Sequence, residues 1–474
     1  MEQLIIEVGN YKSKLLGASN FIRDMLVEQF SFIYFERVTS TARPLPIRVN
    51  LYAQDNTFYS GLVFLVKKYL KSINYNIEIH NSFIYNNDFD SAIQRIKKNI
   101  KLSLRDYQIK TILRTLKFSL SLTSLPTGSG KSLVMAALLL ADNCRTLIIV
   151  DSKSLMHQLI SSIKSMTGRK CGMVGDGIYE PRLWTVAVID SLLTGKGLEV
   201  VKEAKALYFD EAHKTGADTY KRIVDYSGEN SIIRRGFTAT AFRNDSRSLL
   251  LPALTGPVIV HYSTSELIDQ GWLAKPTILM PAIRNFQCKA NYYNAIYSSC
   301  IINNEFRNKT GIISMIDAVK NGELAVGLFR NVQKHMPKLC RLLLSGLNES
   351  QIGIIHGHIN SKRRKQILDE FADGSRPALL ASVGTMGEGI DLPGETTLGV
   401  NFVGGVSEVM IRQMLGRTLR KPKLESGDVD TDVPFNVTYI DPMDYTHREM
   451  LRQAQERYNI YMSEPSFEVE CLGE

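Results

Sequence analysis

One stretch, SLPTGSGKSLVMAALLL from Ser124 to Leu140, constrains the fold of this chain more than any other feature. A strand-like run precedes its glycines and a long apolar run follows them, which predicts a strand, a tight loop and a helix. Gly128 and Gly130 let the backbone curl until its N–H groups point at phosphate oxygens, and the helix adds the positive end of its dipole. The stretch is therefore either a phosphate-binding loop or only a tight turn.

The residue types in PTGSGKS favour the phosphate-binding interpretation. Lys131 is suited to reach the β- and γ-phosphates of a nucleotide, and the Ser132 hydroxyl is suited to bind a magnesium ion. The general pattern G-x-x-x-x-G-K-[ST] expects glycine where this chain has Leu125. The residues predicted to bind the nucleotide here are Thr127, Gly128, Ser129, Gly130, Lys131 and Ser132.

Two adjacent carboxylates in ALYFDEAH support the same interpretation. Adjacent residues that leave a strand point in different directions, so one carboxylate can hold Mg²⁺ while the other orients an attacking water as general base. We assign the metal to Asp210 and the water to Glu211. An exposed acidic loop is the alternative, but it does not account for a phosphate-loop pattern in the same part of the chain.

Length and charge set wider limits. A chain of 474 residues suits two or three domains, and its net charge of +9 favours a polyanionic partner. No apolar stretch approaches the roughly 20 residues that a membrane span needs, and the start MEQLIIEVGN lacks the pattern of a secretory signal. The six cysteines form no C-x-x-C pair, which indicates neither a zinc site nor a disulfide framework. We expect a cytoplasmic monomer.

The first hundred residues differ from the rest and predict a small α+β domain. They are rich in aromatic residues and contain strand-like segments such as IRVNLYAQ and YNIEIHNSFIY. Helices are predicted from Ala18 to Arg37 and from Phe58 to Ser72. The second helix carries Lys67, Lys68 and Lys71, which form either a solvated face or a patch that contacts duplex.

From Leu102 onward, short apolar runs alternate with helical stretches, which is typical of buried parallel strands joined by crossover helices. The first series of strands is TLIIVD, WTVAVID, ALYFDE and RRGFTAT, and the second is ELAVGLF, QIGIIHG, PALLASV, TTLGVNFV and FNVTYID. A linker is predicted from Tyr262 to Lys275. The fold class is therefore α/β, with two tandem doubly wound parallel-sheet lobes, and the predicted domains are 1–100, 101–265 and 266–474, the last with a C-terminal helix.

The first lobe resembles the first motor domain of superfamily 2 helicases, which consist of two RecA-like lobes. That family's phosphate loop reads P-T-G-x-G-K-[ST] and tolerates other residues at the position of Leu125. DEAH matches the second motif, TAT the third, LRDYQ the element before the loop, and LIIVDSKSLMHQL a segment that contacts the nucleic-acid backbone. The resemblance implies adenine recognition by Arg105 and Gln108, coupling of nucleotide state to movement by His213, Thr238 and Thr240, and nucleic-acid contact by Ser152 and Lys153.

The second lobe resembles the same family through IIHGHI, GEGID and QMLGRTLR. In the family the last motif places arginines across a cleft, where they stabilise the charge that develops on the γ-phosphate. Arg417 and Arg420 are the candidates, and because they lie three apart we expect them to share one face of a helix. The other residues implied are Gln413 in catalysis, Gly389 and Asp391 at the nucleotide, and His356 and Thr385 at the nucleic acid. His356 as a core histidine is the alternative.

The resemblance covers about Leu102 to Asp441, and superfamily 2 acts on both RNA and DNA, so other features must indicate the substrate. The motif order, the connector LIDQGWLAKP and the small aromatic-rich N-terminal domain look most similar to UvsW-type helicases of tailed phages. Those enzymes act on branched DNA. The resemblance therefore implies ATP and Mg²⁺ as cofactors, branched or forked DNA as partner, and the bacterial host cytoplasm as location. The alternatives are a duplex translocase of a restriction-type system, an RNA helicase and a non-hydrolysing nucleic-acid binder.

Overall fold

A computed structural model describes residues 3–36, 45–81, 88–211, 217–239, 249–387, 392–422, 424 and 429–473. The chain forms two compact units, Met1–Leu125 with Gly130–His261 and Pro126–Ser129 with Tyr262–Glu474. The predicted domain boundary near residue 100 lies inside the first of these units, and it stays a prediction.

Among its described residues, the N-terminal part of the first unit contains two small sheets and three α-helices. Its elements are β1 (Leu4–Val8), β2 (Lys12–Leu16), α1 (Asn20–Gln29), β3 (Ser31–Glu36), β4 (Leu45–Asn50), β5 (Thr57–Tyr59), α2 (Val63–Ser72), β6 (Ile77–Asn81) and α3 (Phe89–Asn99). Four of the strands form a mixed sheet in the order β5-β2-β1-β6, and β3 and β4 pair as an antiparallel ribbon. This part is α+β, as the composition predicted.

The rest of the first unit is a doubly wound α/β lobe. Its elements are α4 (Asp106–Thr115), β7 (Leu120–Ser124), α5 (Lys131–Asp142), β8 (Thr146–Val150), α6 (Lys153–Thr167), β9 (Gly172–Gly175), β10 (Ile178–Glu180), β11 (Trp184–Val188), α7 (Lys196–Glu203), β12 (Ala206–Phe209), α8 (Ala217–Ser227), β13 (Ile233–Thr238), α9 (Leu250–Thr255) and β14 (Val258–His261). The strand order is β10-β9-β11-β8-β12-β13-β7-β14, and every pair except β10–β9 is parallel. Strands such as β8 and β12 are buried along their whole length, which is why they are continuously apolar.

The N-terminal elements and this lobe share one hydrophobic core. It joins Leu4 and Ile6 of β1 to Leu147 and Ile149 of β8 and to Phe209 of β12. The N-terminal residues therefore form a built-in part of the first unit rather than a tethered module.

Polar bonds reinforce this attachment. The buried Arg234 side chain donates through Nη2 to the carbonyl of Asn10 at 2.7 Å. The Asn10 amide donates to the carbonyls of Glu229 and Ser231, both at 3.0 Å. These bonds fix the loop between β1 and β2 against the segment that precedes β13.

The second unit is a second α/β lobe. Its elements are α10 (Thr264–Asp269), β15 (Lys275–Ile283), α11 (Tyr293–Tyr297), α12 (Glu305–Lys320), β16 (Leu324–Phe329), α13 (Met336–Leu343), β17 (Ile352–Ile355), α14 (Ser361–Ala372), β18 (Ala378–Ser382), α15 (Val383–Gly387), β19 (Thr396–Asn401), α16 (Glu408–Thr418), β20 (Asn436–Ile440), β21 (Met443–Asp444), α17 (Arg448–Met462) and β22 (Glu468–Leu472). The strand order is β17-β18-β16-β19-β20-β15-β21, β22 also pairs with β15, and all pairs are parallel. The predicted fold class, with two parallel-sheet lobes, is confirmed.

Two local predictions were wrong. The helix predicted from Ala18 to Arg37 ends at Gln29, because the residues that follow pair with β4 as a strand. The helix predicted from Phe58 begins at Val63, since Phe58 belongs to β5. The predicted linker from Tyr262 to Lys275 begins where the second unit resumes, and it contains the short helix α10.

Among the residues that the structure describes, no helix is long and apolar enough to cross a membrane.

Candidate nucleotide and nucleic-acid site

The loop between β7 and α5 has the backbone that a phosphate group requires. Gly128 and Gly130 have φ angles of +85° and +80°, in the left-handed region that favours glycine. A Cβ atom on Gly130 would lie 2.6 Å from Nε2 of Gln108, so a larger residue would displace that side chain. Gly130 immediately precedes α5, whose first N–H groups have no acceptor within the helix. The curled loop and the helix N-terminus together suit an anion.

Leu125, which departs from the general phosphate-loop pattern, belongs to the core. Its side chain is fully buried, and its N–H donates to the carbonyl of Thr238 at 2.9 Å. Thr238 ends β13, the strand that pairs with β7. Leu125 therefore extends the sheet by one residue, which explains why an apolar side chain occupies this position.

The two adjacent carboxylates follow β12 at the carboxyl edge of the sheet. The N–H of Asp210 donates to the carbonyl of Ile149 at 3.1 Å, and the N–H of Glu211 donates to Oδ1 of Asp210 at 3.1 Å. Glu211 has a φ angle of +49°, an uncommon conformation for a residue other than glycine. Backbone strain of this kind costs about 1–3 kcal/mol and is concentrated at functional sites.

The loop lysine and the second carboxylate form an ion pair. Nζ of Lys131 lies 3.1 Å from Oε1 of Glu211, and the two side chains are only 12% and 14% exposed. Only β13 separates β7 from β12 in the sheet, so the lysine side chain spans one strand to reach the carboxylate. The structure thus brings together the predicted phosphate ligand and the predicted general base.

The side chains near this pair suit a magnesium ion. Ser132 lies in the first turn of α5 and Asp210 at the end of β12. Over the described ranges, no group of three or more His, Cys, Asp or Glu residues could hold a metal ion. One hydroxyl and one carboxylate fit Mg²⁺, which keeps several waters and is completed by phosphate oxygens rather than by an all-protein cage.

The residues predicted to recognise adenine lie at the start of α4. Gln108 is buried, and its Oε1 accepts the Arg105 N–H at 3.0 Å. Nη1 of Arg105 donates to the Tyr107 hydroxyl at 3.2 Å. Because the Gln108 amide also packs against Gly130, it connects this element to the phosphate loop.

Tyr220 on α8 is a residue of this site that the sequence analysis missed. Its side chain is 4% exposed, its hydroxyl has no hydrogen-bond partner among the described residues, and its ring meets Phe209 edge-on at 5.0 Å. Burial raises the pKa of the Tyr220 hydroxyl, and three carboxylates raise it further. Those carboxylates belong to Asp151, Asp210 and Glu211. A single aromatic on a helix pattern looks like a core residue, so no sequence signal marked it.

The residues of the first unit that were predicted to contact nucleic acid lie at the start of α6. Ser152 caps this helix by accepting the Leu155 N–H at 3.3 Å. Nζ of Lys153 lies 2.8 Å from Oδ1 of Asp176, whose other oxygen lies 3.1 Å from Nε2 of His157. These hydrogen bonds, the one from Lys153 first, lower the pKa of Asp176. A nucleic-acid phosphate would therefore have to compete with the exposed carboxylate of Asp176 for the Lys153 ammonium group.

The corresponding residues of the second unit lie at the carboxyl edge of its sheet. His356 follows β17 and is partly exposed, which argues against the core alternative; its Nδ1 accepts the His358 N–H at 3.3 Å. Burial, and then the charge of His358, lower the pKa of His356. Thr385 is buried on α15, and its hydroxyl lies 2.7 Å from that of Ser382.

The helix α16 carries two of the three residues predicted from QMLGRTLR. Gln413 and Arg417 lie on α16 and are each 9% exposed. The expectation that Arg417 and Arg420 share a helical face was wrong, because α16 ends at Thr418 and Arg420 lies beyond it. Nη1 of Arg420 instead donates to the carbonyl of Leu392 at 3.4 Å.

Arg412, a second arginine on α16, hydrogen-bonds this helix to the residues that follow α17. Arg412 bonds Glu408 at 3.0 Å, Ser463 at 3.1 Å, and the nearly buried Glu464. Glu464 also accepts the N–H and hydroxyl of Ser265 on α10, at 3.2 and 2.8 Å. No local pattern in the sequence marks this group of bonded residues, because its members lie far apart in the chain.

Four predicted residues lie outside the described residues. They are His213, Thr240, Gly389 and Asp391. Their predicted roles stay predictions.

Two family models match the chain in the order of the two lobes. The model of the type III restriction enzyme res subunit matches residues 101–243, and the helicase conserved C-terminal domain matches residues 312–422. The chain belongs to the superfamily 2 helicases, which are ATP-dependent enzymes that use Mg²⁺.

The chain is 27% identical over 409 residues to the DNA 3'-5' translocase XPB2 of Sulfurisphaera tokodaii, covering 78% of this chain and 89% of that protein. A putative DNA 3'-5' helicase Rad25 of Haloarcula marismortui is 28% identical over 335 residues. That match covers 69% of this chain and about half, 52%, of the relative. Among solved structures, a fragment of a putative HsdR subunit of a type I restriction enzyme from Vibrio vulnificus matches 97% of this chain and 84% of its own at 16% identity, with a TM-score of 0.56. T4 UvsW matches 99% of both chains at 18% identity, with a TM-score of 0.47.

Proposed function

We propose that this chain is an ATP-driven helicase that unwinds or branch-migrates branched DNA, including junctions, forks and strand-invasion loops, in recombination, repair or replication. The observation that carries this proposal is the small N-terminal domain that is built into the first motor lobe. A motor that only follows one strand needs no second contact with DNA. A branched substrate presents duplex beside that strand, and a rigidly attached accessory domain is suited to hold it.

The attachment of the N-terminal domain supports this proposal through α8. The hydroxyls of Tyr11 and Tyr59 each donate to Oδ1 of Asp225 at 2.6 Å, and Nζ of Lys221 donates to its Oδ2 at 2.7 Å. Asp225 lies on α8, the helix that follows the DEAH segment. A domain fastened to this helix moves together with the lobe that carries the phosphate loop.

We propose the following roles for the site residues of the first unit. Lys131 leaves Glu211 for a phosphate oxygen when the nucleotide binds, and Glu211 then accepts a proton from the attacking water. Asp210 and Ser132 would hold a magnesium ion, which would offset the negative charge of the phosphates. Until the nucleotide binds, the carboxylate of Glu211 stays in its ion pair with Lys131.

In the second unit, we propose that charged side chains stabilise the negative charge of the reacting nucleotide. Arg417 and Arg420 stabilise the transferring phosphoryl group, with Gln413 beside them. His356 contacts the nucleic acid, mainly through phosphates, which makes binding strongly dependent on salt and weakly dependent on sequence. Thr385, which was also predicted to contact the nucleic acid, has a buried side chain and is not proposed as a direct contact.

One comparison of substrates tests the proposed function. Four-way junctions, forks, blunt DNA duplexes and blunt RNA duplexes of equal length are unwound by one preparation, with rates measured by strand separation. We expect junctions and forks to be processed fastest, because they offer both a strand and a duplex to hold. A preference for blunt RNA duplexes contradicts the proposal.

A restriction-type duplex translocase is the second candidate, favoured by the match to the type III restriction enzyme model. Such a motor moves along duplex without separating strands. If blunt duplex DNA stimulates ATP hydrolysis as strongly as a fork does and no strand is released, this second function replaces the first.

Charge reversal on α2 tests the role of the N-terminal domain. Deletion of the domain would expose the shared core, so the double variant Lys68→Glu, Lys71→Glu is the better probe, since both side chains are exposed. We expect about a 3- to 30-fold loss of affinity for a four-way junction, because two phosphate contacts become repulsive. ATP hydrolysis stimulated by single strands is expected to be unchanged.

The matched control for this experiment is Lys97→Glu, Lys98→Glu at the end of α3, where two exposed lysines also lie close together. Affinities are compared by fluorescence anisotropy at one fixed salt concentration. Equal losses in both double variants mean that only net charge matters and that α2 is not a specific contact.

A further inference from the structure

A segment of the second unit has the composition of a nucleic-acid surface, although no helicase motif covers it. Residues 284–304 read RNFQCKANYYNAIYSSCIINN and contain no Asp or Glu. Tyr292 is 82% exposed and Tyr293 is 43% exposed. Arg284 and Lys289, also exposed, supply the positive charge. The segment lies between β15 and α12.

The exposed tyrosines are presented by a folded scaffold. The ring of Tyr293 lies nearly parallel to that of Tyr297, with centroids 6.2 Å apart and an interplanar angle of 30°. Tyr297 packs against a small core that contains Ile296, Cys300, Ile301 and Met450 of α17. The hydroxyl of Tyr297 is buried and has no hydrogen-bond partner in the described part of the chain. The tyrosine pair Tyr293 and Tyr297 is therefore held in place by this small core.

Further bonds fix the ends of the segment. The side-chain amides of Asn285 and Asn304 bond each other in both directions at 3.1 Å, which closes the segment at its base. The N–H of Cys288 donates to the carbonyl of Thr446 at 2.8 Å. The guanidinium of Arg284 lies 4.3 Å from the ring centre of Tyr445. These bonds hold the backbone of the segment, which reduces the conformational entropy lost when a ligand stacks on this surface.

The segment lies at the sheet edge where this unit is predicted to contact nucleic acid. All strands of the sheet are parallel, so Arg284 after β15, Arg330 after β16 and His356 after β17 leave the same edge. Burial raises the pKa of the Tyr297 hydroxyl, while the positive charges of Arg307 and Arg330 lower it, which places the Arg330 guanidinium within electrostatic range of Tyr297. Arg330 is itself exposed.

We propose that Tyr292 and Tyr293 form a stacking platform for the bases of single-stranded DNA, with Lys289 and Arg330 binding its phosphates. Aromatic rings stack on bases of any sequence, and interleaved basic residues follow the backbone. The absence of carboxylates over 21 residues removes the repulsion that phosphates would otherwise meet. This inference rests on the proposed action on DNA and adds to it a contact for a displaced or unpaired strand.

The test is the binding of dye-labelled oligo-dT to the full chain, measured by fluorescence anisotropy. Base stacking on one aromatic ring contributes about fivefold or more to affinity, so the double variant Tyr292→Ala, Tyr293→Ala is expected to lose about 10- to 100-fold. Tyr292→Phe keeps the ring and is expected to bind within about twofold of the wild type. Tyr226→Ala is the matched control, because Tyr226 is an exposed tyrosine, 46%, on α8.

Two further readouts separate a stacking role from others. Lys289→Ala is expected to lower the slope of log affinity against log salt by about 0.7, whereas the tyrosine variants leave that slope unchanged. ATP hydrolysis without DNA is expected to be the same in all these variants, which also reports that the fold is intact. Wild-type affinity for oligo-dT in the double tyrosine variant overturns the platform and leaves a protein partner as the occupant of this surface.

The outcome of the oligo-dT test does not depend on the outcome of the unwinding comparison among junctions, forks and blunt duplexes. If the wild type shows no preference for branched DNA but the double variant still loses affinity for oligo-dT, the proposed function fails and the platform stands. If branched DNA is preferred and the double variant binds oligo-dT normally, only the platform fails.

Discussion

Replacing Lys131 with alanine is expected to lower ATP turnover by about 10²- to 10³-fold, the effect of removing one preorganised positive group from a transferring phosphoryl group. Nζ of Lys131 lies 3.1 Å from Oε1 of Glu211, so the change also removes the ion pair between the lysine and this largely buried carboxylate. Steady-state phosphate release with and without single-stranded DNA measures the first effect. A thermal melt measures the second.

Lys202→Ala is the matched control for that variant, because Lys202 is an exposed lysine in the last turn of α7. It is expected to hydrolyse ATP at the wild-type rate. If Lys131→Ala keeps more than about half of the wild-type turnover, the phosphate-loop assignment is wrong, since such a group contributes far more than twofold.

Replacing Glu211 with glutamine is expected to lower hydrolysis by about 10²- to 10⁴-fold while ATP still binds, because glutamine keeps the shape of the side chain but cannot take the proton. The amide oxygen can still accept a bond from Lys131, so the local fold is retained. Hydrolysis is measured by phosphate release and binding by equilibrium dialysis with Mg²⁺ present. The expected product is a trapped complex with ATP.

Glu180→Gln controls for the change of charge, because Glu180 is an exposed glutamate on β10 of the same sheet. Wild-type hydrolysis by Glu211→Gln would show that another group acts as the base. Loss of ATP binding together with hydrolysis would instead assign Glu211 to holding the loop, through its ion pair with Lys131.

Many strands of both lobes were predictable because they are short, apolar and largely buried, whereas the exposed strand β10 and the partly exposed β22 were not predicted. TLIIV and ALYF are buried at every position, so their composition alone carries the signal. The phosphate loop was equally predictable, since left-handed φ angles at Gly128 and Gly130 follow from residue type. Features of this kind depend on a few adjacent residues.

The errors lie where distant bonds override local pattern. Ser31–Glu36 continues a helical pattern, but pairing with Leu45–Asn50 makes it a strand. The helix that carries Arg417 was expected to continue to Arg420. It stops at Thr418, and the carbonyl of the next residue, Leu419, accepts the N–H of Ala274 at 2.8 Å. A competing bond from elsewhere in the unit is not visible in a local window.

The chemistry of this protein could be stated from the chain alone, since a glycine-rich loop with lysine and serine, and a pair of carboxylates after a strand, admit few uses. Their arrangement could not. The ion pair of Lys131 with Glu211, the Tyr220 hydroxyl among carboxylates and the stacked ring of Tyr293 arise from packing. Residue type sets what a side chain can do, whereas neighbours from distant parts of the chain set its charge, exposure and partners.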